Sequence, residues 1–467
     1  MTNLKISTLW TMLSALLVGT LIGTMGNSMV SIALPSFITF FNISLSSAVW
    51  SITLYTLTFS VLIPVFGALS PALGFKRMFI SGMLIVNVCS VMCIYAPNYT
   101  LFLIARVGIG IGVATVLPTI MGIVTNFFPS EIQGRAIGIW ALVNSLGHAI
   151  GPMLGGFLVN SFDWPAIFWA NLPLGVISIV IAWRVFPKDK TIGTVKTFDW
   201  FGATGMTVLV FSAMLGITQI SQYGLLAGRT VALFGIALAA LTFILSYERK
   251  REKPFLNLEL FTKKEYISAI APISLQAFTQ FGLLVSLPIF LIDIHAIEKQ
   301  LAGGIIMSMT VMMAITSPIA GRLVDRWNSK VICLMGTLLV GAGSVFMFFM
   351  RTEELTPWGW ALFLLNLAVF GTGFGMIQAS ATVAAIQASP KEISGAATGF
   401  FHMIRFVSAS LGSTVIGIIL ETNRGGGTSG FYRTFLLTTI LAALTIPVTF
   451  LMQPPAKKAE PAAVYPD

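Results

Sequence analysis

Charge is what this sequence has least of: Asp, Glu, Lys and Arg make up 9% of its 467 residues, against roughly a quarter in soluble domains. So few ionised groups cannot hydrate the surface of a 50.3 kDa chain, which excludes an ordinary soluble globular protein. Carboxylates are the scarcer sign, 17 against 27 basic side chains. A net charge of +10 would suggest nucleic acid in a soluble chain, but loop topology accounts for it here, and no nucleic-acid partner is expected. Cysteine is nearly absent, and Cys89, Cys93 and Cys333 lie in apolar runs without ligand spacing, which excludes a disulfide framework and a metal site. Three histidines with no acidic neighbours in the membrane, no clustered nucleophile and no large soluble domain argue against a membrane enzyme or receptor. A Gly-rich phosphate loop ending in Lys-Ser/Thr is also missing, so neither ATP nor another cofactor is expected.

What is abundant is apolar sequence, with 56% hydrophobic residues and a mean hydropathy of +0.89. Crossing the hydrocarbon takes about 20 apolar residues per helix. Such windows fall near 9–35, 47–69, 77–96, 100–127, 136–160, 165–186, 200–220, 229–247, 266–292, 300–321, 330–350, 357–385, 394–420 and 432–452. The expected fold is therefore all-α, a polytopic membrane protein of fourteen transmembrane helices. The first run continues for a full crossing and lacks a small-residue cleavage site, so it is read as a retained helix rather than a signal peptide. Only Arg229, Lys299, Arg351, Arg424 and Arg433 fall in one set of alternate connections; apart from Arg106 and Arg405, which lie inside spans, every other basic residue falls in the other set. By the positive-inside rule both termini are expected in the cytoplasm of a multi-pass cell-membrane protein.

The two longest polar connections, at Phe186 to Asp199 and Glu248 to Glu265, divide the chain into six, two and six helices. The expected units are a first six-helix bundle over 1–186, two extra helices with their flanking loops over 187–265, a second six-helix bundle over 266–452, and a disordered Pro-rich tail over 453–467. Related short basic loops recur between the second and third helices of each six, at Gly67 to Arg77 and Gly321 to Lys330. Two such halves suit a transporter built from repeats around a central cavity.

In the fifth span, Gly147, Gly151, Pro152, Gly155 and Gly156 form GxxxGPxxGG, which resembles the antiporter motif of the major facilitator superfamily. Small residues one turn apart let helices approach closely and proline removes a backbone donor, so a generic packing face is the competing reading. SIALPSF at Ser31 to Phe37, Trp50 with Tyr55, IFWANLPLG at Ile167 to Gly175, FDWFG at Phe198 to Gly202, PFLNLELFTKKEY at Pro254 to Tyr266 and SGAATGFFHMIR at Ser394 to Arg405 narrow the resemblance to the fourteen-helix drug/proton antiporter branch. That resemblance implies two six-helix bundles that rock about a midplane cavity, with two extra helices packed outside. It also implies a gating role for Asp325, flanked by Arg322 and Arg326 in the loop opened by Gly321; a solvated charge cluster is the alternative. The first-half copy keeps Gly67, Gly74, Lys76 and Arg77 but has Pro71 and Ala72 where the family has an acidic and a basic residue, so its gate must be weaker or built differently.

Arg106 matches the family's RxxQGxG arginine, with Ile109 in place of the glutamine. A guanidinium at that depth is costly without partners; it reads either as a cavity group for anions or protons, or as a side chain tied to backbone carbonyls of the first helix. Arg405 and His402 stand three residues apart on one face, expected to line the cavity. His148 reads as a titrating group or as a neutral hydrogen-bonding one. No carboxylate lies at the middle of a span, and Gly26 occupies the position of the family's first-helix acid. Two interior arginines without an acidic partner disfavour cations and point to an anionic, zwitterionic or neutral amphipathic substrate. Asn27, Ser31, Asn144, Gln276, Gln280 and Gln378 are the uncharged polar candidates for contacting it. Trp50, Tyr55 and Phe278 are candidate aromatic surface, or face lipid or packing instead.

The sequence thus points to a secondary active exporter of small amphipathic or drug-like compounds, working by alternating access in the lipid bilayer as a monomer. Protons are the candidate coupling ion, with Asp293, His295 or an interior histidine as carrier. The alternatives are an uncoupled or anion-coupled carrier for an anionic or lipid-like substrate, and a non-transporting receptor.

Overall fold

The structure, a computed structural model, describes residues 6–452 apart from 44, 190–197, 249–254, 256–257, 298, 351–356, 390–393 and 423–428. The tail over 453–467 and the side chains of Asn27, Pro152 and Asp293 lie outside the described residues. In lipid a backbone must satisfy its own hydrogen bonds, and long apolar runs do so as helices. They are α1 (Ile6–Phe41), α2 (Leu45–Leu73), α3 (Phe75–Ile94), α4 (Tyr99–Phe127), α5 (Ser130–Phe162), α6 (Ala166–Val185), α7 (Trp200–Tyr223), α8 (Gly228–Glu248), α9 (Lys264–Pro288), α10 (Lys299–Arg326), α11 (Ser329–Phe349), α12 (Pro357–Gln387), α13 (Ser394–Thr422) and α14 (Ser429–Phe450). Thirteen are long and apolar enough to cross a membrane. The remaining helix, α5, is bent by 44° between Ser130–His148 and Met153–Phe162 and makes a fourteenth crossing when its two segments are taken together. The bend falls at the turn containing Pro152, whose missing N–H takes one bond out of the ladder. Side-chain caps set several starts: Asn98 accepts from Leu101 N at 2.9 Å, Asp199 from Gly202 N at 3.0 Å and Asn328 from Lys330 N at 2.9 Å.

Two sets of six helices repeat one packing scheme. α3 meets α4 where a Cβ on Gly82 would stand 2.8 Å from Gly112 O, and α11 meets α12 where one on Gly336 would stand 2.9 Å from Gly373 O. The α1–α5 pair, closed by Gly147 and Gly151 against Thr24 and Ser28, has its counterpart in α9–α13, where Gly412 backs onto the Phe278 backbone. One buried apolar cluster centres on the first set, with Leu16, Phe79, Phe102 and Trp164, and runs on into the second through Val324 of α10 and Met376 of α12; another lies within the second set, with Ile273, Phe290, Phe370 and Phe374. A third cluster joins α2 (Val61, Val65), α7 (Ala203, Met206, Val210), α8 (Ile244) and α13 (Phe400, Met403). The extra pair therefore packs onto the seam between the two sixes, with α7 against both α2 and α13.

Fourteen crossings bring the chain back to the side from which it started, and the end of the bundle carrying both termini is called the terminal end below. The two sixes meet along α5–α10 and α2–α13, and the tightest approaches lie toward this end. Gly321 faces the Gly134 backbone, a Cβ on Gly138 would stand 2.9 Å from Ser317 O, and one on Gly399 would stand 2.7 Å from Pro64 Cα.

Candidate functional site

Beyond that closed level, about midway along α1, α5 and α13, lies a cavity of about 330 Å³. Gly19, Thr20, Gly23 and Thr24 of α1 form one wall, and Ile52, Tyr55, Leu57 and Phe59 of α2 with Val113, Val116, Leu117 and Ile120 of α4 form the next. α5 presents Trp140, Asn144 and His148, one turn apart in succession. α13 presents His402, Arg405, Phe406, Ala409, Ser410 and Ser413, and α9 adds Phe281. Met214 and Thr218 of α7 complete the lining. α7 of the extra pair thus reaches the cavity wall from its place on the seam, while no described α8 residue is in the lining.

Arg405 carries the lining's fixed charge, and none of the described lining residues is a carboxylate. Its guanidinium is 5% exposed, donates to Gln378 Oε1 at 3.3 Å and lies 5.8 Å from the Phe406 ring centroid, while its Nε has no acceptor among the described residues. His402 is 1% exposed with both ring nitrogens unpartnered, and its ring meets that of Trp140 edge-on at 5.5 Å. Trp140 Nε1 is likewise buried without an acceptor. Buried polar groups are paired in the great majority of cases, so this concentration of orphaned nitrogen sets the cavity apart from the packed core.

Of the residues singled out in the sequence, Tyr55, Asn144, His402 and Arg405 come together around the cavity, along with His148. Arg106 is 1% exposed and stands behind this wall, its Nε donating to Ser51 O at 3.0 Å and its guanidinium 4.7 Å over the Tyr55 ring, which donates to Gly23 O at 2.8 Å. The Ser51 carbonyl is on α2, whereas the structural one of the two readings of Arg106 placed its acceptors on α1. The arginine braces the wall through Tyr55 rather than lining the cavity. Gln276 and Gln280 are buried in α9, where Gln276 donates to Gln280 and Gln280 Nε2 approaches Met313 Sδ at 3.5 Å. Gln378 is buried one layer behind Arg405. Trp50 is half-buried in α2 and Phe278 half-buried in α9, both outside the lining, and Ser31 is exposed, donating to Ser28 O at 2.7 Å. His295 is packed between the Phe290 and Trp360 rings at 4.6 and 5.3 Å, away from the cavity.

Among the motif residues, Gly147, Gly151 and Gly155 abut Thr24, Ser28 and Met29 of α1, so the glycine stripe is the α1–α5 contact; Gly156 has more room, with Ile32 4.0 Å away from a Cβ built on it. At the terminal end Asp325 Oδ1 accepts from Gly134 N at 2.8 Å and Oδ2 from Arg135 N at 2.8 Å. A carboxylate of the second six thus caps the positive end of a helix of the first, while Arg322 and Arg326 are exposed. In the first-half loop Gly67 is buried within α2 and Gly74 turns the chain at φ 94°, directly against the Asp189 carboxyl. Asp189, from the connection after α6, accepts from Lys76 N at 2.9 Å and Arg77 N at 3.1 Å and lies 3.9 Å from the Arg77 guanidinium. Lys76 Nζ donates to the carbonyls of Trp183 and Phe186.

Comparison with known proteins decides what this architecture is: a family model described as Major Facilitator Superfamily matches residues 16–413. The chain belongs to the major facilitator superfamily. It is 28% identical over 392 residues to the multidrug resistance protein Stp of Mycobacterium tuberculosis, covering 84% of this chain and 72% of that one. It is 25% identical over 417 residues to the multidrug transporter protein MdtP of Bacillus subtilis, covering 89% and 76%. The crystal structure of the human organic anion transporter MFSD10 (TETRAN) superposes with a TM-score of 0.64 at 16% identity, covering 95% of this chain and 99% of that one, which shows the shared fold. This superfamily member is therefore a multi-pass membrane transporter for small molecules and not an enzyme.

Several lining residues of the transporter were missed from sequence: Thr20, Thr24, Trp140, Phe281, Phe406, Ser410, Ser413 and the α7 pair. Trp140 was within reach, since it precedes Asn144 by four residues and shares its helical face. Met214 and Thr218 carried no signal, because nothing local says which seam α7 covers.

Proposed function

We propose that this transporter exports small amphipathic or drug-like compounds by alternating access, the two six-helix sets rocking about the cavity at Arg405. The observation that carries this reading is the cavity itself. At about 330 Å³ it matches the size of drug-sized sites, and its largely apolar wall with a few convergent polar groups is the chemistry such sites use. The two multidrug-named relatives support the substrate class, and the Lys/Arg asymmetry of the loops supports a cell-membrane protein with cytoplasmic termini. Purified protein in proteoliposomes, loaded with a panel of fluorescent amphiphiles, tests the reading. Release several-fold faster than from empty liposomes is the expected result, and rates equal to empty liposomes across the panel would remove the export function.

Protons remain the candidate coupling ion, through His148 or His402 in the lining. The lack of a carboxylate among the described lining residues favours a second reading, an uncoupled or anion-coupled carrier. A pH gradient with and without an uncoupler separates the two: dependence on the gradient supports proton antiport, independence supports the second.

A further inference from the structure

We infer that the cavity takes the acidic head of an amphipathic substrate, a carboxylate held between Arg405 and His402 of α13 and Trp140 and Asn144 of α5. This rests on the cavity being the substrate site and goes further by naming the substrate's charge. The argument begins from hydrogen-bond donors that lack acceptors. Arg405 Nε and Trp140 Nε1 are buried donors without a partner among the described residues, and so is whichever nitrogen of His402 carries the hydrogen, since neither ring nitrogen has a partner there. Among the described residues the acceptor Arg405 reaches is the neutral amide oxygen of Gln378, at 3.3 Å, a poor counterpart for a desolvated guanidinium, whose planar fork fits a carboxylate in two parallel bonds. A ligand carboxylate supplies two oxygens and a full negative charge where donors outnumber acceptors, and it offers the charge that no described lining residue provides.

The placement of these donors gives the head group a mechanical role. Trp140 and Asn144 belong to the first six-helix set, His402 and Arg405 to the second, and the Trp140 and His402 rings already touch at 5.5 Å. A carboxylate lodged there is held from both sides, so its binding draws the halves together around it. Next to this donor cluster the rings of Phe59 and Phe406 meet edge-on at 5.0 Å, again across the halves, and provide an apolar berth for the rest of the molecule. A cationic head would stand against Arg405 with no carboxylate among the described lining residues to offset it.

The test is equilibrium binding to the purified full-length protein in nanodiscs, which needs no transport. The probes share one ring system: 1-naphthaleneacetate, its primary amide 1-naphthaleneacetamide, and the cationic 1-(1-naphthyl)ethylamine. The acetate should bind about tenfold tighter than the amide, and the amine more weakly than either. Arg405→Gln should bring the acetate to the level of the amide while leaving the amide within about twofold, and Arg405→Lys, which keeps the charge without the fork, should retain part of the preference. Trp140→Phe, which keeps the ring and removes the N–H, should weaken the acetate by about threefold more than the amide and covers the case in which the Arg405 variants fail to fold. Amide or amine binding as tight as the acetate, no detectable binding of any probe, or a preference that survives both Arg405→Gln and Trp140→Phe would overturn the assignment. Preferential acetate binding without movement in proteoliposomes would uphold it while removing the export reading, so the two failures are distinguishable.

Discussion

The two seams that close the terminal end of this transporter are built from different materials. Along α5–α10 the backbones touch through Gly134, Gly138 and Gly321, and the Asp325 carboxylate crosses from one half to the other to take two backbone N–H groups. Along α2–α13 Gly399 rides over Pro64, no such carboxylate is present among the described residues, and Val61, Met206 and Phe400 pack the joint with α7 behind it. The first-half loop has Pro71 where the family resemblance expects an acid, and Asp189 serves the neighbouring helix start, but it caps α3 within its own half. The difference is one of range. A hydrogen-bonded carboxylate lets go within an ångström or two and water can replace its partners, whereas an apolar joint loses contact in proportion to the area that opens. One seam is therefore suited to snap and the other to slide.

That contrast can be broken in several places. Phe400→Ala should cost about 3 kcal/mol by leaving a hole where α2, α7 and α13 meet, lowering the thermal midpoint while spin-label distances across the terminal ends of α5 and α10 stay at the wild-type value. Gly321→Leu should push those same labels apart and slow proteoliposome transport about tenfold or more, since its Cβ has no room beside the Gly134 and Gly138 backbones and overpacking of this kind costs about 1–3 kcal/mol. Asp325→Asn keeps the size but gives up the charge and one acceptor; about 1–2 kcal/mol of the latch should go, seen as a growing population of the longer α5–α10 distance. Asp189→Asn should be the mildest for the seam: it too gives up one of two backbone N–H acceptances, about 1–2 kcal/mol, but at the start of α3 within one half, and its pair with the 78% exposed Arg77 side chain adds little. Its inter-half distances should not move, and a shift matching that of Asp325→Asn would mean that the two loops do the same work after all.

How far the sequence led depended on whether the signal was a run or a phase. The fourteen crossings were legible because twenty apolar residues in succession need no knowledge of neighbours; the helices then extend past the apolar windows, as α1 does over 36 residues, because backbone bonds continue into the interface. Phase was legible on α13, where His402 and Arg405 share one face, and on α5 at Asn144. It was not legible where a helix is apolar all round, since such a helix has no polar stripe to mark its inner side. α4 is of that kind: sequence could not say that Arg106 points to Ser51 and Tyr55 behind the wall instead of into the cavity. Nor could it say that Gln276, Gln280 and Gln378 stand outside the lining, each with a contact inside the protein. Asp189 was out of reach for another reason: it stands more than a hundred positions from the loop end that it caps.

Met214 and Thr218 make α7 a flank of the chamber rather than an ornament on its outside. A shortened chain with α7 and α8 cut away would keep both six-helix sets, yet acyl tails would then stand where those two side chains stood. The cargo of such a twelve-helix version would have a sideways exit into the leaflet, turning vectorial passage into a leak.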